Sequence, residues 1–346
     1  MKIAFFDTKE YDRESFNRTN ERFGYDITYL ETKLNVHSAD MAKGADSVCA
    51  FVNDKIDAAV IDKLIRNNIK LIILRCAGYN NVDLKYAWEK IHVAHVSAYS
   101  PNAIAEHTVA LLLTLTRHIH KAYNRVREGN FTLTGLVGRN LYEKTAGIIG
   151  TGKIGRITAK ILSGFGMKII AFDKFPDTAW AKENNIEYAD IETLCRQSDV
   201  ISLHSPLTKE THHLINEQLL SLMKREVLII NTGRGALIDT TALVYALKKR
   251  HIGGSALDVY EEEEAYFFED RSLNVIEDDT LARLLTFPNV IITGHQAFLT
   301  NEALSAIAET SFGNIRDFFE NAIIPNEICY FCDKNTCAKE SQKRCW

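Results

Sequence analysis

A chain of 346 residues is long enough for two ordinary domains, and 46% hydrophobic with 25% charged residues is the balance of a globular protein. The formal net charge of -4 gives no electrostatic case for a nucleic-acid partner, and no apolar run approaches the length of a membrane span. The opening MKIAFFDTKEYD has too short an apolar core for a signal peptide, so a cytoplasmic location is expected.

Short apolar runs alternate with helix-like stretches in two series, the pattern of an α/β protein whose parallel sheets are joined by crossover helices. The first series is KIAFFD, DITYLE, SVCAFV, LIILRC and HVAHVS, ending near Ser97. Pro101 and Asn102 then open a stretch from Ala103 to His120 that lacks glycine and proline, which predicts a buried or domain-bridging helix. The second series is AGIIG, KIIAFD, DVISLH, EVLIIN, ALDVY and VIITGH, ending at His295. Lys248 to Arg250 reads as a helix end, with Gly253 and Gly254 as its stop.

The second series opens on TAGIIGTGKIGR, where Gly150, Gly152 and Gly155 stand in GxGxxG register directly after an apolar run. Such glycines permit a tight strand-to-helix turn, close approach of backbone N–H groups to a pyrophosphate, and close packing of helix on strand. Gly147, Gly152 and Lys153 also fit a P-loop, but the next residue is Ile154 where a metal-binding hydroxyl is needed. Nucleoside triphosphate hydrolysis is therefore disfavoured. Asp173 closes the following run about 20 residues on, the distance of a ribose-binding acid, and a carboxylate repels a 2′-phosphate. NAD is expected rather than NADP, although Lys174 could soften that choice.

Asp173, His204, Arg234, Asp258 and His295 each close or directly follow an apolar run, and open parallel sheets bind ligands at that edge. In NTGRGALID, Gly233 and Gly235 remove bulk around Arg234, whose guanidinium suits bidentate pairing with a carboxylate; the alternative is a structural ion pair. His295 in TGHQAF follows a strand and a glycine, so it is expected to face a crevice. The acidic run Glu261 to Glu264 could supply a carboxylate that favours a proton-donating imidazolium there.

After His295, residues Leu304, Ile307, Ala308, Phe312, Ile315, Phe318 and Phe319 recur at helical spacing, predicting a long amphipathic helix that ends before Pro325. This helix is expected to return to the first domain. Residues 1–100 and 299–346 then form one domain, with 101–298 inserted as a dinucleotide-binding unit. Four of the seven cysteines crowd the tail: Cys329, Cys332, Cys337 and Cys345. CxxC is the usual opening pair of a zinc site, but the second pair has the wrong spacing. A reduced, frayed tail without metal is the expectation.

GTGKIG, NTGRGALID, ALDVYEEE and TGHQAF occur in the order and approximate spacing of the D-2-hydroxyacid dehydrogenase family, which the chain resembles to about Pro325. AYSPNAIAEH, with Tyr99, and the HxAF ending make it most similar to the D-lactate dehydrogenase branch. That resemblance implies two Rossmann-like or flavodoxin-like domains, a homodimer or homotetramer, and NADH-dependent reduction of pyruvate to D-lactate. It assigns Arg234 to the substrate carboxylate and carbonyl, His295 to acid/base work, and Glu263 as the histidine's partner, by an offset that could slip by one. It places Gly150, Gly152, Lys153, Ile154, Gly155, Asp173, His204, Pro206, Thr232 and Asp258 on the cofactor. Cys76, Ala77, Gly78, Tyr79, Tyr99 and Phe298 fall on the substrate. Alternatives with the same machinery are 2-hydroxyisocaproate, glycerate or hydroxypyruvate dehydrogenases, or a corepressor-like protein that senses NAD.

Overall fold

The computed structural model describes residues 1–332, 337, 339–342 and 344–346, and the chain divides into two compact units. One comprises Met1–Ser100 and Leu299–Trp346, the other Pro101–Phe298.

The first unit contains strands β1 (Lys2–Phe5), β2 (Asp26–Tyr29), β3 (Ser47–Ala50), β4 (Leu71–Leu74) and β5 (His92–His95). Helices α1 (Glu10–Asn20), α2 (Ala58–Arg66) and α3 (Leu84–Ala87) connect them. All pairings are parallel, in the order β2-β1-β3-β4-β5. Both β3 and β4 are buried at every residue, as strands covered on both faces must be. Arg75, directly after β4, is 1% exposed and lies between the Phe5 and Phe51 rings. It donates to the carbonyls of Phe6 (3.0 Å) and Asp7 (2.6 Å) and pairs with Asp12 (3.1 Å), which compensates a charge that burial alone would make prohibitive.

The second unit begins with α4 (Pro101–Arg117) and α5 (Ile119–Arg127). It continues through β6 (Thr145–Ile149), α6 (Lys153–Gly164), β7 (Lys168–Phe172), α7 (Thr178–Glu183), β8 (Glu187–Tyr188) and α8 (Ile191–Gln197). Next come β9 (Val200–Leu203), α9 (Glu217–Leu222), β10 (Leu228–Asn231), α10 (Thr240–Lys248), β11 (Gly254–Leu257), α11 (Asp279–Thr286) and β12 (Val290–Ile292). The sheet order is β12-β11-β10-β9-β6-β7-β8, all parallel, so the direction of winding reverses between β6 and β9. Adjacent strand residues enter opposite layers of core: Ile149, Ile201 and Ile229 join one apolar cluster, and Ile148, Val200 and Ile230 the other. Burial on both faces is why these strands read as unbroken apolar runs.

The first unit closes with α12 (Asn301–Asn321) and, farther on, the short α13 (Lys339–Gln342). Phe312 of α12 meets Phe16 of α1 edge to face at 5.2 Å, in an aromatic core that also contains Phe23 and Tyr25. Ala322, at φ 53°, ends the helix in the left-handed region.

Three local expectations need correction. The stretch Ala103 to His120 is not one helix, because His118 takes φ 52° and separates α4 from α5. The two-residue edge strand β8 carries too little pattern to have been read. Gly253 and Gly254 do not stop α10; that turn is made by Arg250 at φ 55°, while β11 begins at Gly254. The glycines are required for close packing, since a Cβ at either would lie 2.5 Å from the Glu226 or Asn289 carbonyl oxygen.

Candidate active site

Gly150 ends β6 at φ +96°, and a Cβ there would lie 2.7 Å from the His204 and Ser205 backbone. The β6 and β9 ends therefore close on each other at the sheet's switch point, where doubly wound folds bind dinucleotides. A Cβ on Gly155 would strike the Gly150 carbonyl oxygen at 2.0 Å, whereas one on Gly152 would enter open space. Gly152 caps α6 without a side-chain bond, leaving the N–H groups of the first turn, which includes Lys153 and Ile154, to face an anion.

Asp173 is already turned into this loop. Its Oδ2 accepts from the Thr151 N–H (2.6 Å) and hydroxyl (2.9 Å), and its Oδ1 from the Phe175 N–H (2.9 Å). A carboxylate has about four acceptor positions, so one remains for a ribose hydroxyl. Burial opposes its charge, but these bonds outweigh it and hold the carboxyl below the usual range. His204 lies against the Ser202 hydroxyl (2.8 Å), and burial pushes its pKa down to about 4, so it borders the loop as a neutral ring. Pro206 is exposed beyond it, and Thr232 is buried with its hydroxyl 2.8 Å from that of Thr108. The glycine cradle, bare helix end and poised carboxylate fit a dinucleotide.

At the ends of the neighbouring strands β10, β11 and β12 stand Arg234, Asp258 and His295. Of the acids Glu261 to Glu264, Glu263 meets the histidine: Nδ1–H of His295 donates to Glu263 Oε1 at 2.8 Å. A carboxylate can only accept, so this bond assigns the proton to Nδ1 and leaves Nε2 for other chemistry. Glu263 Oε2 accepts the Tyr260 N–H (3.0 Å), which fixes the carboxylate at both oxygens. Glu261 serves elsewhere, accepting from Thr240 (2.9 Å) and lying 2.5 Å from His213 Nε2. A Cβ on Gly235 would lie 2.1 Å from the Tyr260 carbonyl carbon, so the loop carrying Arg234 packs directly on the loop carrying Glu263. Arg234 donates to its neighbour Gly233's carbonyl (2.8 Å), and no carboxylate among the described residues pairs with it.

Asp258 is fully buried behind this edge. Its Oδ1 accepts from the Thr293 hydroxyl (2.6 Å) and the Gln296 N–H (2.9 Å), with His107 Nε2 at 3.3 Å, and its Oδ2 accepts the Ala297 N–H (2.8 Å). Burial opposes the charge, but the bonds from His107, Thr293, Ala297 and Gln296 prevail and hold the carboxyl below the usual range. The His295 N–H donates to the Asp258 carbonyl (2.7 Å), so both ends of Asp258 hold the turn in which His295 adopts φ 54°.

Residues 109–297 match the model of the NAD-binding domain of D-isomer-specific 2-hydroxyacid dehydrogenases. D-lactate dehydrogenase of Escherichia coli strain K12 is 48% identical over 329 residues, covering 95% of this chain and all of that one. The chain belongs to the D-2-hydroxyacid dehydrogenase family. The apo-structure of the Escherichia coli enzyme superposes with a TM-score of 0.88 at 46% identity, covering 95% of this chain and 100% of that one. A structure described as the pyruvate reductase of Chlamydomonas reinhardtii also gives 0.88, at 40% identity over 92% of this chain and 96% of that one. The protein is thus an NAD-dependent oxidoreductase with D-lactate dehydrogenase or related 2-hydroxyacid dehydrogenase activity on a small 2-hydroxy or 2-keto acid. No helix among the described residues is long and apolar enough to cross a membrane.

In the first unit of this dehydrogenase, Cys76 to Tyr79 follow β4. The Cys76 thiol donates to the Gly78 carbonyl (3.3 Å), and His95 Nδ1–H donates to that of Ala77 (2.9 Å). The N–H groups of Ala77 and Gly78 meet no acceptor among the described residues, leaving two adjacent donors at a strand end. Tyr99 is half-buried, and Phe298, in the second unit, is 9% exposed. Sequence reasoning missed His107 and Thr293, which support Asp258, and Arg75, which anchors the start of the 76–79 loop. His107 lies within AYSPNAIAEH, but nothing in its spacing points to an acid over a hundred residues away.

Proposed function

We propose that this dehydrogenase reduces pyruvate to D-lactate at the expense of NADH, with His295 as the proton donor. The observation that carries the reading is the His295 imidazole, fixed through Nδ1 on Glu263 at the ligand-binding edge of the sheet, beside the loop of Arg234. The similarity to a pyruvate reductase supports the substrate.

Bound NADH supplies the hydride for C2 of the keto acid. The Arg234 guanidinium holds the substrate carboxylate and stabilises negative charge developing on the ketone oxygen. His295 gives that oxygen its Nε2 proton and is left as a neutral ring, which solvent reprotonates. Glu263 keeps the ring in register through Nδ1.

The second unit serves as the NAD-binding domain and the first as the substrate domain. Gly150, Gly152, Lys153, Ile154 and Gly155 would receive the pyrophosphate and Asp173 the ribose diol, in preference to a 2′-phosphate. His204, Pro206 and Thr232 border the cofactor, and Asp258 Oδ2, with one partner, keeps an acceptor direction for the carboxamide. Cys76, Ala77, Gly78, Tyr79, Tyr99 and Phe298 are the substrate-contacting set, the unpaired Ala77 and Gly78 N–H groups being suited to a carboxylate.

A homo-oligomer is supported by α5, which buries no residue of its own. Ile119, Tyr123 and Val126 on it are more than half exposed, a patch that a second copy could cover. A cytoplasmic setting is supported by seven free cysteines and by use of a nicotinamide cofactor.

The deciding experiment is NADH oxidation with pyruvate, hydroxypyruvate and 2-ketoisocaproate side by side, with the chirality of each product determined. Pyruvate should give the highest kcat/KM and yield D-lactate. A preference for either larger acid, an L product, or no turnover would overturn the reading.

A further inference from the structure

The C-terminal segment forms a second organised centre, within the first unit. After α12 the chain lies along the edge strand β5: His95 N–H donates to the Asn326 carbonyl (3.1 Å) and Ile328 N–H to that of Val93 (2.9 Å). Two backbone bonds are a weak hold on a sheet edge. Beyond them the chain turns at Cys329–Cys332, and at its end Trp346 stacks on His92 at 4.0 Å while the Cys345 N–H donates to buried Glu327. This fold-back brings together all four thiols of the tail, which are unevenly spaced in sequence.

The Sγ atoms of Cys329, Cys332, Cys337 and Cys345 all lie within 4.8 Å of one another. Four of the six separations are 3.6 Å (Cys329 to Cys332), 3.7 Å (Cys329 to Cys337), 3.9 Å (Cys332 to Cys337) and 3.6 Å (Cys332 to Cys345). A tetrahedron with zinc–sulfur bonds of about 2.3 Å has edges of about 3.8 Å. The match favours one ion, because sulfurs this close cannot embrace a cluster of several irons. Backbone donors also point at the sulfurs: Phe331 N–H at Cys329 (3.4 Å) and Cys329 N–H at Cys332 (3.2 Å). Such bonds favour thiolate charge.

We propose that Cys329, Cys332, Cys337 and Cys345 bind one zinc ion in a closed tetrathiolate site that clasps the C-terminal segment onto the edge of the first unit's sheet. Binding releases the four thiol protons to solvent and changes no oxidation state. With four protein ligands the ion has no open position, so its role is structural and separate from the reaction. It keeps the segment along the edge strand β5, where two backbone hydrogen bonds are a weak hold.

Metal analysis of the full chain, purified without added metal or chelator, should find about one zinc per chain, lost in Cys332→Ser and Cys337→Ser. Iron in its place, no metal, disulfides among these cysteines, or zinc retained in both variants would overturn the proposal. Because a variant could simply misfold, the chelator-stripped wild-type chain is also titrated with cobalt(II). Visible absorption of a tetrahedral thiolate complex should saturate at one equivalent and disappear on adding zinc; its absence overturns the site. Stripping should also raise hydrogen exchange at residues 326–328 at least tenfold while NADH turnover stays within twofold. Unchanged exchange would sink the clasp.

Discussion

Two histidines of this protein make nearly the same bond and are placed for different work. His295 Nδ1 lies 2.8 Å from Glu263, and His92 Nδ1 lies 2.6 Å from Glu327; in each pair the other carboxylate oxygen accepts a backbone N–H. What differs is location. His295 follows the C-terminal end of β12, with about a fifth of both side chains exposed, whereas His92 begins β5 at the opposite end of a strand. The His92 ring is covered by Trp346 and flanked by Phe318 at 5.0 Å, and Glu327 is sealed from solvent. A histidine–carboxylate pair is therefore no signature of acid/base chemistry. In the proposed reaction the pair at the ligand-binding edge of a sheet is the proton donor, whereas the pair over which aromatic rings close is a fastening.

The sharpest way to break this comparison is to replace both histidines. His295→Gln should lower kcat for pyruvate reduction by about 10²–10⁴-fold, while His92→Gln leaves it within twofold, as read by steady-state NADH oxidation. Equal losses would mean that the edge position does not confer the role. Arg234→Gln should lower kcat/KM by about 10²–10³-fold and, unlike the His295 change, raise KM, because it removes carboxylate binding as well as charge stabilisation.

The acids give a smaller and more diagnostic contrast. Glu263→Gln removes a charge-assisted bond of about 1.5–3 kcal/mol, so kcat should fall about tenfold to a hundredfold with little change in Tm. Glu327→Gln should do the reverse, costing about 3 kcal/mol of the first unit's stability in thermal or denaturant unfolding while kcat holds. Acid should produce the smallest effect. Asp258 and Asp173 have folded-state pKa values below their ordinary ones, so their contribution is complete above the unfolded carboxylate range and is lost as pH falls through the folded values. The second unit's Tm should drop below about pH 4, and less steeply in Asp258→Asn.

Much of the site was legible because its signals are local. The glycine turn, the acid after the next strand and the polar residues at strand ends are written in consecutive residues. The resemblance to the family, through the offset from Asp258, singled out Glu263 among four glutamates, and the tertiary structure puts that carboxylate on the imidazole. Gly253 and Gly254 misled for a physical reason: glycine serves close packing as well as turns, and sequence does not distinguish a missing Cβ from a left-handed φ. The break at His118 left no mark, since a histidine was forced into a conformation that its neighbours do not announce.

The sequence by itself determined the two series of parallel strands, the dinucleotide turn and the family. These rest on unbroken apolar runs, on the alternation of such runs with helix-like stretches and on motif spacing along the chain, which survive without coordinates. Only the tertiary structure decided that aromatic rings close over His92, how Asp258 and His107 meet, and that four unevenly spaced thiols converge near one tetrahedron. Those are distances between residues remote in the chain, set by how helices and strands pack, and no local pattern encodes them.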